Sequence, residues 1–266
     1  MSTRTMSVAG SFYPAKPNEI NDMIHHFNAV FDSYTDVFAP FAAIHGKAVI
    51  VPHAGWIYSG FTANIAFRIL SMNNPKTIVV IGPSHRIGFE GISSCDLTQY
   101  QTPLGDLKID TQLLKQLQQE FTLPYYPQAH QEHSTEVQMP FIKHYFPKAQ
   151  VIELVYGYAD PEMLEPIIEY CLSQTDTAIV ISTDLSHYYS LDQAKQLDSI
   201  CLEAIRDQNT LALHQGCEAC GIIGVEAMLN VAKKTKLHGT ILDYRTSADA
   251  SGDPSKVVGY ASVVFS

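Results

Sequence analysis

The chain has 266 residues, 46% hydrophobic and 17% charged, with 27 Asp and Glu against 17 Lys and Arg for a formal net charge of −10. This is the composition of a globular protein long enough to bury a substantial core, and an acidic chain whose basic residues never run beyond pairs is a poor match to a nucleic-acid partner. No stretch approaches the ~18 apolar residues of a membrane span, MSTRTMSVAGSFYP at the start lacks the apolar core of a signal peptide, and five scattered cysteines do not suggest a disulfide framework, so a reducing cytoplasm is the expected setting.

Taken in order, Asn18 to Val30 has mixed helical periodicity, and Lys47 to Pro52 is the first clear strand. Phe61 to Met72 places Phe61, Ile65 and Ile69 at helical spacing, and Thr77 to Ile81 returns as a strand, so residues 47–82 predict one βαβ unit with a right-handed crossover. Ile109 to Phe121 predicts a helix, Val151 to Val155 a strand, Pro161 to Leu172 a helix and Ala178 to Ser182 a strand. Helices are then expected over Asp192 to Asp207 and Ile222 to Ala232, with closing strands over Thr240 to Asp243 and Val257 to Phe265. No linker or low-complexity stretch interrupts the alternation. The expectation is a single domain over residues 1–266, three-layer α/β with a mostly parallel central sheet.

AVIVPHAG (48–55), TIVVIGPSH (77–85) and AIVISTDLSH (178–187) each run from an apolar, β-branched strand into a turn-former and then a histidine. Ligands of open α/β sheets bind outside the carboxyl ends of the strands, so His53, His85, Asp184 and His187 can converge on one crevice although they are far apart in sequence. Imidazole is a ligand for Zn, Cu, Fe and Ni, and the small neighbours Ala54, Gly55 and Ser84 leave room around His53 and His85. Asp184 beside His187 has the composition of an acid–base pair. In Glu132-His133-Ser134-Thr135-Glu136, Ser134 or Thr135 can cap a helix, or His133 and Glu136 can reach the crevice to hold substrate or move protons. Cys217-Glu-Ala-Cys220-Gly221 contains a lone CxxC, which makes neither a zinc ribbon nor a thioredoxin-type motif; either cysteine reads as buried core or as a thiolate for a metal held by the histidines. A serine hydrolase would need a G-x-S-x-G elbow and a nucleotide enzyme a phosphate loop, and the sequence has neither.

VPHAGWIYSG, IGPSHR, EHSTEVQMPF, STDLSH, ACG and SGDPSKVVGYA occur here in the order seen in the Memo family, and the early AGSFYP resembles that family's AGSWYP. The resemblance runs from about residue 9 to the C-terminus. Prokaryotic members are called AmmeMemoRadiSam system protein B. The family is similar in fold to the class III extradiol dioxygenases, such as the protocatechuate-cleaving enzymes, which hold Fe(II) with two His and one Glu and use a further His in acid–base catalysis. The resemblance implies that His53 and His85 are metal ligands, that Cys220 is the third, and that His187, with Asp184 beside it, occupies the acid–base position. After Cys220 many relatives insert a Pro-containing stretch where this chain reads CGIIGVEAM.

A thiolate in place of a carboxylate shifts preference from Fe(II) toward Cu or Zn. The resemblance therefore implies Fe(II) or Cu as the cofactor, with Zn the further possibility, and metal-dependent redox chemistry on a small substrate. The alternative it implies is a non-catalytic module that takes a peptide or phosphopeptide in the same crevice. Neither a membrane nor a nucleic acid is expected as a partner, and fold alone does not choose between the two readings.

Overall fold

The computed structural model of the chain describes residues 2–266. Its strands are β1 (Thr3–Arg4), β2 (Ala48–Val51), β3 (Thr77–Pro83), β4 (Ile92–Ser94), β5 (Gln99–Tyr100), β6 (Leu107–Ile109), β7 (Gln150–Tyr156), β8 (Thr177–Ser182), β9 (His187–Tyr189), β10 (Gly239–Thr246) and β11 (Val257–Phe265). They form one mixed sheet in the order β1-β5-β6-β7-β3-β8-β2-β11-β10, with β4 added to β7 and β9 to β11. The centre, β6-β7-β3-β8-β2, is parallel throughout, whereas β11 and β10 close one side antiparallel. Helices cover both faces. Trp56–Leu70 lies on β2, β10 and β11 with Pro17–Ser33 outside it, and Pro161–Ser173 packs with Ile222–Thr235 over β8. With both faces covered, β2 and β3 are buried at every position, which is why they read as unbroken apolar runs rather than as alternating ones.

The expected three-layer α/β architecture is present, with one difference in its wiring. Residues 47–82 do form strand, helix and strand, but β2 and β3 are not neighbours, because β8 is hydrogen-bonded between them. The register aligns Ile50 with Ile181 and Ile181 with Ile81. The three histidine-bearing strands therefore lie side by side and end together.

The helix expected from Phe61 begins at Trp56. The Trp56 ring stacks on Phe141 at 3.9 Å and its Nε1 donates to the Val137 carbonyl. Buried on nearly all sides, this helix offers little amphipathic pattern in its first turns. The expected helix over Ile109 to Phe121 gives its first residue to β6; Asp110 caps a helix over Thr111–Glu120 by accepting from the Leu113 amide. The cysteines also depart from expectation, because Cys201 and Cys217 form a disulfide 16 residues apart in sequence. It joins the helix Leu191–Asp207 to the segment that leads into Cys220. Cys95, Cys171 and Cys220 are free thiols. Among the described residues no helix is long and apolar enough to cross a membrane.

Beneath the sheet's crevice end lies a buried polar network. Glu153 on β7 accepts from Tyr100 and Thr135 and pairs with His130 Nδ1 at 2.7 Å, and His130 Nε2 contacts Ser93 Oγ. Burial penalises the Glu153 carboxylate, but His130, Arg4 and Thr135 outweigh it and hold the group below its ordinary 4.5. Its stabilisation is thus complete above pH 4.5 and disappears as the pH falls through the lower folded value. Glu153→Gln is expected to cost about 3 kcal/mol at neutral pH and to flatten the loss of stability below that pH, as read by urea unfolding across a pH series. An unchanged acid slope would show that the carboxylate is not ionised in the native state.

Candidate metal centre

The site is built on the carboxyl end of β8. Asp184, two residues past the strand, is buried and accepts hydrogen bonds from the backbone amides of His53 at 2.7 Å and Ala54 at 3.3 Å. A carboxylate from one strand end thereby clamps the loop that leaves the next. Burial pushes Asp184 up, against those two amides. Ser182 Oγ donates to the Ser134 carbonyl and accepts from Gln138 Nε2 at 3.0 Å. Its single proton is then committed, so towards His53 Nδ1 at 3.0 Å it must act as acceptor. The network places the imidazole proton on Nδ1 and leaves the Nε2 lone pair of His53 free. Burial, together with the positive fields of His85 and His133, lowers the His53 pKa well below its usual 6.5, which keeps the ring neutral.

Glu132 does the same for the second histidine. One oxygen accepts the His85 amide at 2.7 Å, and the other faces the Nδ1 atoms of His85 at 3.3 Å and His133 at 2.6 Å. That second oxygen also accepts from the amides of His133 and Ser134, so Glu132, not Ser134 or Thr135, caps the short helix His133–Glu136. Against the penalty of burial, the donors on His133 and His85 drive Glu132 far below the ordinary carboxylate range. With Nδ1 occupied by a carboxylate, His85 also presents Nε2. The helix can sit this close because the next-to-last residue of β3 is Gly82, where a Cβ would lie 2.7 Å from Ser134 Oγ.

Cys220 arrives from the opposite side, at the start of the helix Ile222–Thr235. Gly221 is what lets it approach: a Cβ there would lie 2.6 Å from Thr183 Cβ and 2.9 Å from the Ser182 carbonyl. Cys220 Sγ lies 3.2 Å from His53 Nε2 and 3.4 Å from the Asp184 amide, which points at it as a donor. Burial and the Asp184 carboxylate push the thiol up to about 12, so a thiolate here calls for a cation.

One donor atom each of His53, His85 and Cys220 lies within 4.8 Å of the other two. Metal bonds of about 2.1 Å to nitrogen and 2.3 Å to sulfur, meeting at 90–110°, span ~3.1–3.6 Å between donors, which accommodates the His53–Cys220 separation. The His53 and His85 ring centroids are 5.1 Å apart. These residues fit a metal. Two other groups among the described residues have donors as close, but both are committed to hydrogen bonds. In Cys95–His130–Glu153 both imidazole nitrogens are bonded, and burial with the nearby Glu153 drives the Cys95 thiol far up. In His85–Glu132–His133 the carboxylate is the acceptor that orients both rings.

The other residues singled out in the sequence divide. His133 is part of the cluster, its ring 5.3 Å from His53 and 4.7 Å from His85, with Phe12 packed 4.6 Å behind it. His187 begins β9 and is half-buried, near enough for its charge to depress His53 and favour Asp184 ionisation. Among the described residues no hydrogen bond joins Asp184 to His187; the carboxylate serves the His53 loop instead. Glu136 does not face the crevice. It is fully buried and holds the N-terminal segment by accepting from Arg4, the Ser7 and Val8 amides and the Tyr13 hydroxyl. Cys217 is tied to Cys201, and Glu218 accepts from the Tyr189 hydroxyl, so neither competes with Cys220. Sequence reasoning gave no role to Glu132 or Ser182, although Glu132 adjoins His133 and Ser182 ends a histidine-bearing strand.

An open α/β sheet with a two-histidine, one-cysteine donor set at its central strand ends is thus the framework of this protein. A profile of the Memo family, described as Memo-like protein, matches residues 4–264. A MEMO1 family protein of Aquifex aeolicus is 31% identical over 284 aligned residues that take in 100% of both chains. One from Desulfurococcus amylolyticus is 31% identical over 100% of this chain and 99% of its own, and one from Methanocaldococcus jannaschii 32% identical over 98% of each. The chain belongs to the Memo family.

If Glu132 orients two rings while His53 and His85 supply the lone pairs, substitutions should separate the roles. Glu132→Gln is expected to keep one metal per chain with affinity lowered about 10–100-fold, whereas His53→Ala and His85→Ala abolish stoichiometric binding. Elemental analysis and competition against a chelator measure both. Equal loss in all three variants would make Glu132 a ligand rather than an orienting group.

Proposed function

We propose that the chain holds one redox-active metal, Fe(II) or Cu, with Zn the redox-inert possibility, through His53, His85 and Cys220, and performs metal-dependent redox chemistry on a small substrate. The observation that carries this reading is the convergence of two free Nε2 lone pairs and the sulfur of the half-buried Cys220, each ring fixed by a separate acceptor at Nδ1. Membership of the Memo family and that family's likeness to class III extradiol dioxygenases support it. When bound, the metal supplies Lewis-acid activation and one-electron chemistry, with the soft sulfur favouring Cu over the hard-ligand preference of Fe(II).

The chain's own residues then do the positioning and proton work. Ser182 and Glu132 hold the ligand tautomers, and the Asp184 amide donates to the Cys220 sulfur, favouring its thiolate. His187, close enough for its field to reach His53 and Asp184, takes the proton-transfer role in this reading. His133, anchored through Nδ1, is the ring this reading assigns to holding substrate beside the donor set.

Protein purified without oxygen and loaded with Fe(II) or Cu(I) is expected to take up one metal per chain and to consume O₂ faster than the free metal does. Cys220→Ala should lose both properties. His187→Ala should keep the metal and slow turnover by about 10²-fold or more, the usual range for a general acid–base group. O₂ uptake no faster than that of free metal in the loaded protein would overturn the redox reading.

A further inference from the structure

Access to the donor set is lopsided. The His53 side chain is 2% exposed, His133 17% and His85 30%. His85 is also a wall of a cleft of about 250 Å³, with Arg86, Ile87, Ser84, Tyr158 and two glycines as its other walls. The larger clefts lie elsewhere, one of about 420 Å³ at the amino ends of β2 and β8, one of about 450 Å³ around Phe121 and Met163, and one of about 300 Å³ around Ala204 and Ala212.

The cleft beside His85 is held open by its own backbone. The Ser84 amide donates to the Tyr156 carbonyl and the Ser84 hydroxyl to Ile87, while the Tyr158 amide donates to Phe89 and the Gly91 amide to Tyr158. Tyr158 is 69% exposed, an unusual position for a large ring in a structured turn. Arg86 is exposed too. Arg4, Arg68 and Arg245 are paired with Glu136, Asp32 and Asp243, but Arg86, like the distant Arg206, has no ion-pair partner among the described residues. The nearby carboxylates are spent: Glu132 on two imidazoles and three amides, Asp184 on two amides. Glu90, on the same loop, lines the separate cleft of Phe121 and Met163. In a chain of net charge −10, the mouth of this site carries an unneutralised guanidinium.

We propose that the cleft is a subsite for a small planar organic carboxylate. Arg86 pairs with its two oxygens, Tyr158 covers its flat apolar body, and the far end of the molecule points past His85 to the donor set. The inference rests on the metal reading for that last element alone. Size fits, since a cavity of ~150 Å³ accommodates one benzene ring. Charge fits as well: a single planar guanidinium matches one carboxylate in a two-bond fork, whereas a phosphate is normally met by several donors or cations.

The test uses benzoate as the probe, titrated into the full-length protein with and without metal and followed by ligand-observed NMR. Benzoate is expected to bind the metal-free protein, and benzyl alcohol not to. Arg86→Gln should weaken benzoate binding about 10–100-fold, Arg86→Lys should recover only part of it because the fork is lost, and Tyr158→Ala should weaken it further. In copper(II)-loaded protein, benzoate should alter the electron paramagnetic resonance spectrum, and Arg86→Gln should remove that response while one copper per chain remains. Benzoate binding equal in Arg86→Gln and the unaltered protein would overturn the subsite, as would inorganic phosphate displacing benzoate at lower concentration than benzoate itself binds. Failure of the unaltered protein to take up copper, with Arg86-dependent benzoate binding intact, would count against the donor set and leave the carboxylate subsite standing.

Discussion

Everything at this site depends on the in-register parallel pairing of β3, β8 and β2. Three adjacent strands running the same way must end at the same edge, and a residue at a given distance past each end is delivered to one place. With Ile50, Ile181 and Ile81 aligned across the sheet, His53, Asp184 and His85 follow three or four residues beyond that level. A shift of one residue would turn every side chain to the opposite face of the sheet and undo its close packing against the helices there. The sheet's apolar core therefore acts as the ruler for the site.

Carboxylates and a hydroxyl convert that coarse placement into fixed geometry. Asp184, Glu132 and Ser182 each reach from one segment to another, and each accepts from backbone amides or an imidazole Nδ1. Burying these groups is costly unless their hydrogen-bonding capacity is filled, and here it is filled by the very atoms whose orientation a metal site needs settled. Two of the candidate donors are thus held by second partners on different elements, and the third is carried on a helix start that only Gly221 allows so near the strand end. Rigid, pre-oriented donors lower the cost of assembling a site when its ion arrives.

What was legible in the sequence follows from the same physics. The central strands stood out because strands covered on both faces are continuous apolar runs, and His53, His85 and His187 stood out because they follow such runs. The position of β8 between β2 and β3 was not legible, since strand order is decided by pairings between distant segments. Cys220 has no strand-end position to betray it, and came only through likeness to the Memo family. Glu132 reaches His85 across 47 residues of sequence and Ser182 reaches His53 across 129, and no local pattern reports such a contact. Glu136 looked like a site residue because it shares a short helix with His133. Its carboxylate is instead taken up by Arg4 and the N-terminal amides, partners well over a hundred residues away that no local pattern reports. The Cys201–Cys217 bridge was hidden because spacing alone does not say which buried cysteines meet.

The central claim is that His53, His85 and Cys220 form one mononuclear metal site through Nε2, Nε2 and Sγ. Anomalous diffraction from crystals of the metal-loaded protein, collected on both sides of the metal's absorption edge, tests it directly. The account predicts one peak per chain, about 2.0–2.4 Å from those three atoms, with Ser182 and Glu132 still bonded to the Nδ1 atoms. A peak at the buried Cys95–His130–Glu153 group, or one bound by the Nδ1 atoms, would contradict it.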